Sequence, residues 1–505
     1  MSTIENDIGL GIDYWAARTP ERIALCNLKE EISYAELEDQ TRRVASALHE
    51  RGIRKDDTVL LSMPNTLSFT ILEFAMFRIG AIVIYANPLY QCTELRHLIA
   101  LTKPKLALVY KDRQIRLIQE ADPQIPVLLI NADTYHGLLR AKPWTAPFLF
   151  DKDRVAVGIS TSGSTGRSKV VGIMYRNLLA AWDYIDRMHL DNTDVSYIPV
   201  PLCQSYGIMA TMCAFLTGGG IAIEEKFSGE TALELISARG VTTQFCVPVM
   251  YAREIDVYEK ESAKPKLDTL KSGVIAGAPS MEKYIAWFDK TLNCRILNLY
   301  GLTECTALSF TDLNDSEYIR YHTAGRPCRH AQIRIVDEQR RDVAAEEVGE
   351  LLCHGPGEMK GYIGEPALTQ KAYTEDNWMI TGDMGYFTKD GYLVISGRKK
   401  HMIIKNGYNV FPAEVEKVYS DHSDIADICV IGYKDECTGE RIAAFVQKRQ
   451  SSTLTEEALK VYGKKLIARY KIPDRFFFMD KLPRLINGKH DLQTMQSILA
   501  DLLQQ

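Results

Sequence analysis

The sequence predicts a multidomain α/β protein, on three observations. Helical and extended patterns alternate as far as Leu299, which indicates a layered α/β architecture with largely parallel sheets. From about Gly325 to Ser396 the texture changes to short extended runs rich in glycine, the pattern of a small β-rich subdomain. At 505 residues the chain is too long for one core, so two or more domains are expected.

The elements follow in order. Ser33-Tyr-Ala-Glu36 is a capping box, and Leu37, Val44, Ala45 and Leu48 recur behind it at helical spacing, with Gly52 as the stop. Thr58–Met63 reads as a strand, Leu67–Arg78 as a helix and Ile79–Tyr85 as a strand. Glu94–Leu101 reads as a helix that ends before Pro104, with Leu106–Tyr110 the strand behind it. Val155–Ile159 is a short buried strand, and Gly172–Ala181, with Leu178 and Leu179, reads as the way into a helix. The alternation resumes over Ser196–Ala252 and Leu270–Leu299. In the β-rich stretch the strands are Gln332–Val336, Glu350–His354 and Tyr392–Ser396. Gly397-Arg-Lys-Lys400, charged and glycine-led, reads as a hinge. Beyond it Pro412–Tyr419 and Glu456–Arg469 are helical, and Ile425–Gly432 and Ala443–Lys448 extended.

Composition excludes several classes of function. The chain is 46% apolar and 25% charged, ordinary for a soluble globular protein, and its formal charge of -5 argues against nucleic acid or an acidic membrane as the main partner. Eleven scattered cysteines include no C-x-x-C pair, so spacing suggests neither a zinc site nor a disulfide framework, and reduced thiols in the cytoplasm are expected. Met1–Leu10 carries Glu5 and Asp7 without an apolar core and does not read as a signal peptide. Phe69–Ala86 is interrupted by Glu73, Arg78 and Gly80, and Tyr197–Ile223 by Pro199, Pro201 and Gly218–Gly220. Both read as buried helix–turn–strand segments and not as membrane insertions.

Thr161-Ser-Gly-Ser-Thr-Gly-Arg-Ser-Lys169 has the composition of a phosphate-binding loop. Its glycines let backbone approach a polyanion, its hydroxyls and N–H groups donate, and Lys169 adds charge. The same residues also build ordinary surface turns, and the spacing is not G-x-x-x-x-G-K-[ST], which excludes an ordinary P-loop NTPase. Tyr300-Gly-Leu-Thr-Glu304 follows the apolar strand Arg295–Leu299, at a strand end where α/β folds place ligands. Glu304 would suit Mg²⁺, which takes oxygen ligands and shares substrate phosphates. Ala276-Gly-Ala-Pro279 also follows a strand. Thr381-Gly-Asp-Met-Gly385 puts Asp383 in a tight turn, where a carboxylate could accept from ribose hydroxyls or cap its own turn. Pro483–Lys489 presents a lysine on a loop near the C-terminus.

Together, and in this order, these segments resemble the adenylate-forming superfamily, which includes acyl- and aryl-CoA synthetases, peptide-synthetase adenylation domains and beetle luciferases. The resemblance spans nearly the whole chain. Thr161–Lys169 matches T-S-G-[ST]-T-G-x-P-K, Tyr300–Glu304 matches Y-G-x-T-E, and Asn487-Gly-Lys489 matches the terminal [NS]-G-K. Gly355–Tyr362, Thr381–Tyr386 and Gly397–Glu414 match the barrel and hinge stretches. The resemblance implies a large N-terminal domain, residues 1–399, of two α/β subdomains plus a small β-barrel (about 325–396), and a small mobile α+β C-terminal domain, residues 400–505. It implies attack of a carboxylate on the α-phosphate of MgATP to give acyl-AMP and pyrophosphate, then transfer to a thiol with release of AMP.

By family position, the clamp for the β- and γ-phosphates is Thr161, Ser162, Gly163, Ser164, Thr165, Gly166 and Lys169. Thr303 contacts the α-phosphate, Glu304 (with Thr165) takes Mg²⁺, Gly277, Ala278 and Tyr300 frame adenine, Gly301 also belongs to the nucleotide site, and Asp383 and Arg398 hold ribose. Lys489 reaches the reacting carboxylate and ester oxygens. Lys400 is the hinge, and Gly407 lines the thiol channel. The acyl pocket draws on Gln204, Ser205, Tyr206, Phe245, Val247, Gly277, Leu302 and Ala307.

The chain also departs from the family. Gln204 stands where histidine is usual in P-L-[FY]-H-x-x-G, and glutamine can hydrogen-bond but cannot change charge. Arg167-Ser168 replaces the usual x-Pro before Lys169, His490-Asp491 follows Lys489 where Ile or Leu and then Arg are common, and Ile404 takes the place of a frequent lysine. Tyr197–Ile223 contains no Asp or Glu to pair a substrate ammonium, which favours an aryl or medium-sized acyl acid. A CoA ligase, with ATP, Mg²⁺ and CoA, is the first reading. A stand-alone enzyme loading a carrier protein's phosphopantetheine is the second, and a non-catalytic nucleotide-binding descendant the third.

Overall fold

Two parallel-cored sheets carry the first part of the chain. In the computed structural model, which describes residues 10–148, 151–161, 168–277, 282–329, 331–405, 408–435, 439–450, 452–485 and 488–503, contacts group the chain into two units. One is Met1–Ile333 with Cys353–Met379, the other Arg334–Leu352 with Ile380–Gln505. The sequence places its boundary at residue 399; here the strands on either side of 352 and 379 divide, and 334–352 and 380–398 group with the C-terminal segment.

In the first unit a nine-stranded sheet runs, in spatial order, Arg326–Pro327, Thr306–Phe310, Arg295–Leu302, Ser272–Ile275, Thr243–Cys246, Val195–Tyr197, Gly220–Ala222, Ile23–Cys26 and Glu31–Ser33. Its interior pairs are parallel and its outer pairs antiparallel. A seven-stranded sheet runs Gly361–Tyr362, Lys169–Met174, Val155–Thr161, Ile82–Tyr85, Thr58–Ser62, Leu106–Val109 and Val127–Leu129. Strand alternation divides the core. Val59, Leu61 and Val83 of one sheet and Phe245, Val274 and Leu297 of the other belong to one large cluster. Leu60, Ile84 and Ala107, and separately Cys246, Ile275 and Ile296, face away from it into outer clusters. The capping box at Ser33 and Glu36 is formed and starts the helix Tyr34–Glu50. Tyr197–Ile223 is a strand, a helix Ser205–Thr217 buried from Gly207 onward, and a second strand. No described helix is long and apolar enough to cross a membrane.

Three local expectations are corrected. The segment after the glycine-rich loop is a strand, Lys169–Met174, before any helix, because Val170, Val171 and Ile173 are β-branched and buried on both faces of the sheet. Asp383 lies within the strand Met379–Phe387 and not in a tight turn: a bulge between Met384 and Gly385 absorbs the glycine-rich sequence without ending the pairing. Tyr300–Leu302 continues the strand Arg295–Leu302, so only Thr303–Cys305 turns before Thr306–Phe310.

The second unit holds a sheet ordered Gln332–Val336, Gly349–His354, Met379–Phe387, Leu393–Arg398, three of whose strands run across the division, and a five-stranded sheet. In the latter Gly439–Lys448 is central, paired to Ile425–Asp435 on one side and to Arg475–Met479 and Ile403–Lys405 on the other. Helices Pro412–Ser420 and Glu456–Leu466 contribute to the core on one face, and Leu492–Leu503 to that on the other. Ile425–Asp435 is an outer strand, and the N–H of Val430 donates to Glu416 Oε1 at 2.8 Å.

Candidate active site

In the first unit the strands flanking the candidate phosphate loop, Val155–Thr161 and Lys169–Met174, are antiparallel neighbours, with Thr161 and Lys169 directly opposed Cα partners. Ser162, Gly163, Ser164, Thr165 and Gly166 lie outside the described residues, as do Ala278 and Gly407. Lys169, the first residue of its strand, sets its ammonium 4.5 Å from the ring centre of Tyr362, whose strand pairs with the Lys169 strand at Val171. The Tyr362 hydroxyl donates to Glu304 Oε1 at 3.0 Å, and Met359 N donates to the Glu304 carbonyl at 2.8 Å. Lys169 and Glu304, far apart in sequence, are thus linked through one aromatic side chain. Burial, then the charge and hydrogen bond of Glu304, hold the Tyr362 hydroxyl well above its ordinary pKa, so it stays a donor.

The turn that carries Thr303 and Glu304 demands close backbone approach. A Cβ on Gly301 would lie 2.1 Å from the Thr306 carbonyl oxygen, which makes the glycine of Y-G-L-T-E a steric requirement. Thr303 Oγ1 meets Ser205 Oγ at 3.3 Å, so the predicted α-phosphate contact and the first residue of the predicted acyl segment adjoin. Gln204 is the residue before the helix Ser205–Thr217, half-buried, and its side chain does not cap that helix. Tyr206 donates to the Val274 carbonyl at 2.8 Å, and its ring meets Phe245 edge-on at 6.2 Å. Gly207 is forced too: a Cβ there would sit 2.3 Å from the Pro201 carbonyl oxygen. Val247 precedes the helix Pro248–Lys260, and its Cγ1 would lie 3.4 Å from a Cβ on Gly277, whose φ is +82°. Tyr300 and Leu302 are half-buried and Ala307 is buried on the same hairpin.

Glu224 and Glu254 are buried acids near this region in sequence. Tyr197 donates to Glu224, and Cys246 Sγ lies 3.7 Å from Glu254 Oε1. Tyr197 and Cys246 belong to the outer cluster of the sheet, while Phe245 belongs to the central one, so these carboxyls face away from Phe245. Burial pushes Glu224 up to about 7 and Glu254 up to about 8.

In the second unit, antiparallel pairing brings the two predicted ribose residues side by side. Asp383 and Arg398 are Cα partners, and Arg398 Nε donates to Asp383 Oδ1 at 2.8 Å. Asp383 is 4% exposed, and its amide donates to Thr381 Oγ1, which in turn donates to the Leu351 carbonyl. Lys489 joins them from the far end of the sequence. Its side chain keeps solvent exposure, yet burial of the ammonium's surroundings, then Arg398, lower its pKa, while Asp383 opposes them. The Lys489 carbonyl accepts from Leu485 N at 2.8 Å, which closes the turn that presents the lysine. Lys400 is exposed in the short 3₁₀ turn Lys399–His401, directly after the strand Leu393–Arg398. The structure therefore joins Lys169 to Glu304, Thr303 to Ser205, and Asp383 to Arg398 and Lys489. Tyr362 was within a matched stretch but not foreseen; only the pairing of its strand reveals its place.

Known proteins give the same pattern a context. Residues 12–363 match the family model described as AMP-binding enzyme, and residues 414–489 match the AMP-binding enzyme C-terminal domain. A putative acyl-CoA synthetase, YngI, of Bacillus subtilis is 30% identical over 96% of this chain and 96% of its own. The medium-chain fatty-acid–CoA ligase of Escherichia coli is 28% identical over 94% of this chain and 88% of its own. Among solved structures, ATP-bound MatB from Rhodopseudomonas palustris superposes with a TM-score of 0.88 at 23% identity, covering 98% of this chain and 99% of its own. The o-succinylbenzoate CoA synthetase of Bacillus subtilis, in complex with its acyl-adenylate, gives 0.85 at 24% identity, covering 97% and 98%.

Proposed function

Because this chain belongs to the AMP-binding enzyme family, we propose that it activates a carboxylic acid with ATP, releasing pyrophosphate, and then passes the acyl group from acyl-AMP to the thiol of CoA. It is an AMP-forming acid–thiol ligase, in keeping with the synthetases and ligases it resembles. The observation that carries the residue roles is the Asp383–Arg398 ion pair, whose two charges also act on Lys489, from a separate motif of the same unit.

The chemistry asked of these groups is electrostatic. A carboxylate is a poor electrophile, and its adenylate carries a good leaving group. As the carboxylate oxygen attacks the α-phosphorus, charge moves onto the departing pyrophosphate, so catalysis falls to placed cations and donors. Lys169 and the N–H and hydroxyl groups of its loop bind the terminal phosphates. Glu304 offers hard oxygen ligands for Mg²⁺, which when bound neutralises phosphate charge. Its carboxylate is already oriented by Tyr362, and it is anchored by its own carbonyl, so the residues present fit the ion. Asp383 and Arg398 hold ribose. Lys489 stabilises the α-phosphate and carboxylate oxygens as they meet; at an effective dielectric near 20 such a charge is worth roughly 4 kcal/mol at about 4 Å, before solvent screening. Rotation about Lys400 would withdraw Lys489 and admit the thiol, a hinge step in which few residues absorb the change.

The acid is neutral-bodied, aryl or medium-sized acyl. Tyr206 and Phe245 supply ring faces, Ala307 a small buried wall, and the nearby acids Glu224 and Glu254 turn to the opposite side of the sheet. ATP–pyrophosphate exchange across aryl, fatty and amino acids, followed by acceptor trials with CoA and a phosphopantetheinyl carrier protein, tests this reading. Exchange with a neutral-bodied acid and CoA thioester formation are expected; no exchange with any acid would overturn it.

A further inference from the structure

We propose that Glu416, Cys429 and His490 form a binding site for a divalent transition metal of the zinc type. One ligand atom from each lies within 4.8 Å of the others, although they come from the helix Pro412–Ser420, the strand Ile425–Asp435 and the turn that follows Lys489. In a tetrahedral zinc shell, with bonds of 2.0–2.3 Å, ligand atoms stand about 3.5 Å apart, so closing the set needs shifts of roughly 1 Å. Thiolate, imidazole and carboxylate together select zinc-like ions, whereas Mg²⁺ and Ca²⁺ require oxygen donors throughout. Three protein ligands leave a fourth position for water.

The surroundings also suit a dication. Asp427 is two residues before Cys429, on the same face of the strand by β-alternation, and both its carboxylate oxygens lie 3.1 Å from His490 Nε2. A carboxylate behind the imidazole fixes ring orientation and tautomer, as outer partners of metal-bound histidines do. Arg484 pairs with Asp427 at 2.5 Å. Two carboxylates and a thiolate, set against Arg484 and one dication, leave no net charge in a largely buried region. The ion pair alone would account for His490, Asp427 and Arg484. Glu416 is also held by Val430 N, and Cys429 packs in the core beside Leu499, so what the ion pair leaves over is the approach of a thiol and a second carboxylate to one imidazole. Sequence spacing could not show the site, because its ligands are separated by tens of residues and include a single cysteine.

Occupancy would tie down the base of the turn that presents Lys489, since His490 is the next residue and Arg484 and His490 pair across that turn. That consequence rests on the role proposed for Lys489; the binding itself does not. The test is to treat the full-length protein with chelator, titrate it with Co²⁺ while following the thiolate-to-cobalt charge-transfer band, and then displace Co²⁺ with Zn²⁺. One equivalent with a charge-transfer band is expected. Cys429→Ser should abolish the band, and His490→Gln should weaken Zn²⁺ affinity by about tenfold or more. The ten other cysteines make Cys429→Ser the deciding control. An unchanged band and stoichiometry in Cys429→Ser, or no band in the parent protein, overturns the proposal. Should Cys429→Ser fail to fold, unchanged affinity in His490→Gln, at a half-buried position, overturns it equally.

Discussion

Removing one hydroxyl tests the link between Lys169 and Glu304, the carboxylate proposed to receive Mg²⁺. Tyr362→Phe keeps the ring over which Lys169 sits and the backbone pairing to Val171, and deletes only the donor to Glu304 Oε1. A hydrogen bond to a charged group is worth about 1.5–3 kcal/mol, and Tyr362 is 7% exposed, so little solvent is present to replace it. If that bond serves to hold Glu304 in the geometry that receives Mg²⁺, its loss corresponds to roughly 10- to 150-fold in an equilibrium constant. The assay is ATP–pyrophosphate exchange at fixed ATP over a range of free Mg²⁺, beside thiolysis of supplied acyl-AMP by CoA. The half-saturating Mg²⁺ concentration should rise by that factor, with thiolysis unchanged. An unaltered Mg²⁺ dependence, or equal loss in both half-reactions, would refute the assignment of Tyr362 as the group that positions Glu304.

Three further outcomes are expected. Lys489→Ala should lower adenylation by on the order of 10²–10³-fold, as loss of a preorganised charge-stabilising group does, and spare thiolysis of supplied acyl-AMP; equal losses would remove its assigned role. Lys400→Pro should exchange pyrophosphate yet fail to form thioester, so thioester formation at the parent rate would exclude rotation at that residue. Glu254 and Glu224 are raised on folding, so their contribution to stability is full below the unfolded pKa and is lost as pH rises from about 4.5 through 7 and 8. Denaturant midpoints at pH 5.5 and 8.5 should therefore differ less in Glu254→Gln than in the parent chain, and an identical difference would show that Glu254 is not buried as the neutral acid.

Much of this site was legible because its chemistry is written in contiguous motifs. Glycines at 207 and 301 and the charged residues 304, 383, 398 and 489 stand inside short runs whose residue types already limit what they can do. What could not be read was pairing. Whether Thr381–Gly385 turns or extends depends on a partner strand that supplies hydrogen bonds across a bulge, and the local composition alone favours a turn. The strand Lys169–Met174 was hidden because Gly172 and the following leucines resemble a helix entry, while burial on both faces is a tertiary fact. Tyr362 lies in a motif of the right kind, but its role comes from register with Val171. The group at 416, 429 and 490 carries no local pattern at all. The candidate site divides accordingly: the residues proposed to contact nucleotide lie in local motifs, and the groups that orient them do not.

The outer strand Ile425–Asp435 has a bearing on how the molecule behaves at high concentration. Among the described residues this strand is paired on one side alone, and an uncovered strand edge is a template onto which a strand of another molecule could add; here residues 428–431, at its middle, are buried. Glu416 occupies one of the donors along that edge by accepting from Val430, so an incoming backbone carbonyl finds no free N–H at that place. A single carboxylate on a neighbouring helix therefore acts as a guard against self-association. Preparations in which that carboxylate is lost or drawn away would be expected to fail by stacking strand on strand, before the cores of either unit come apart.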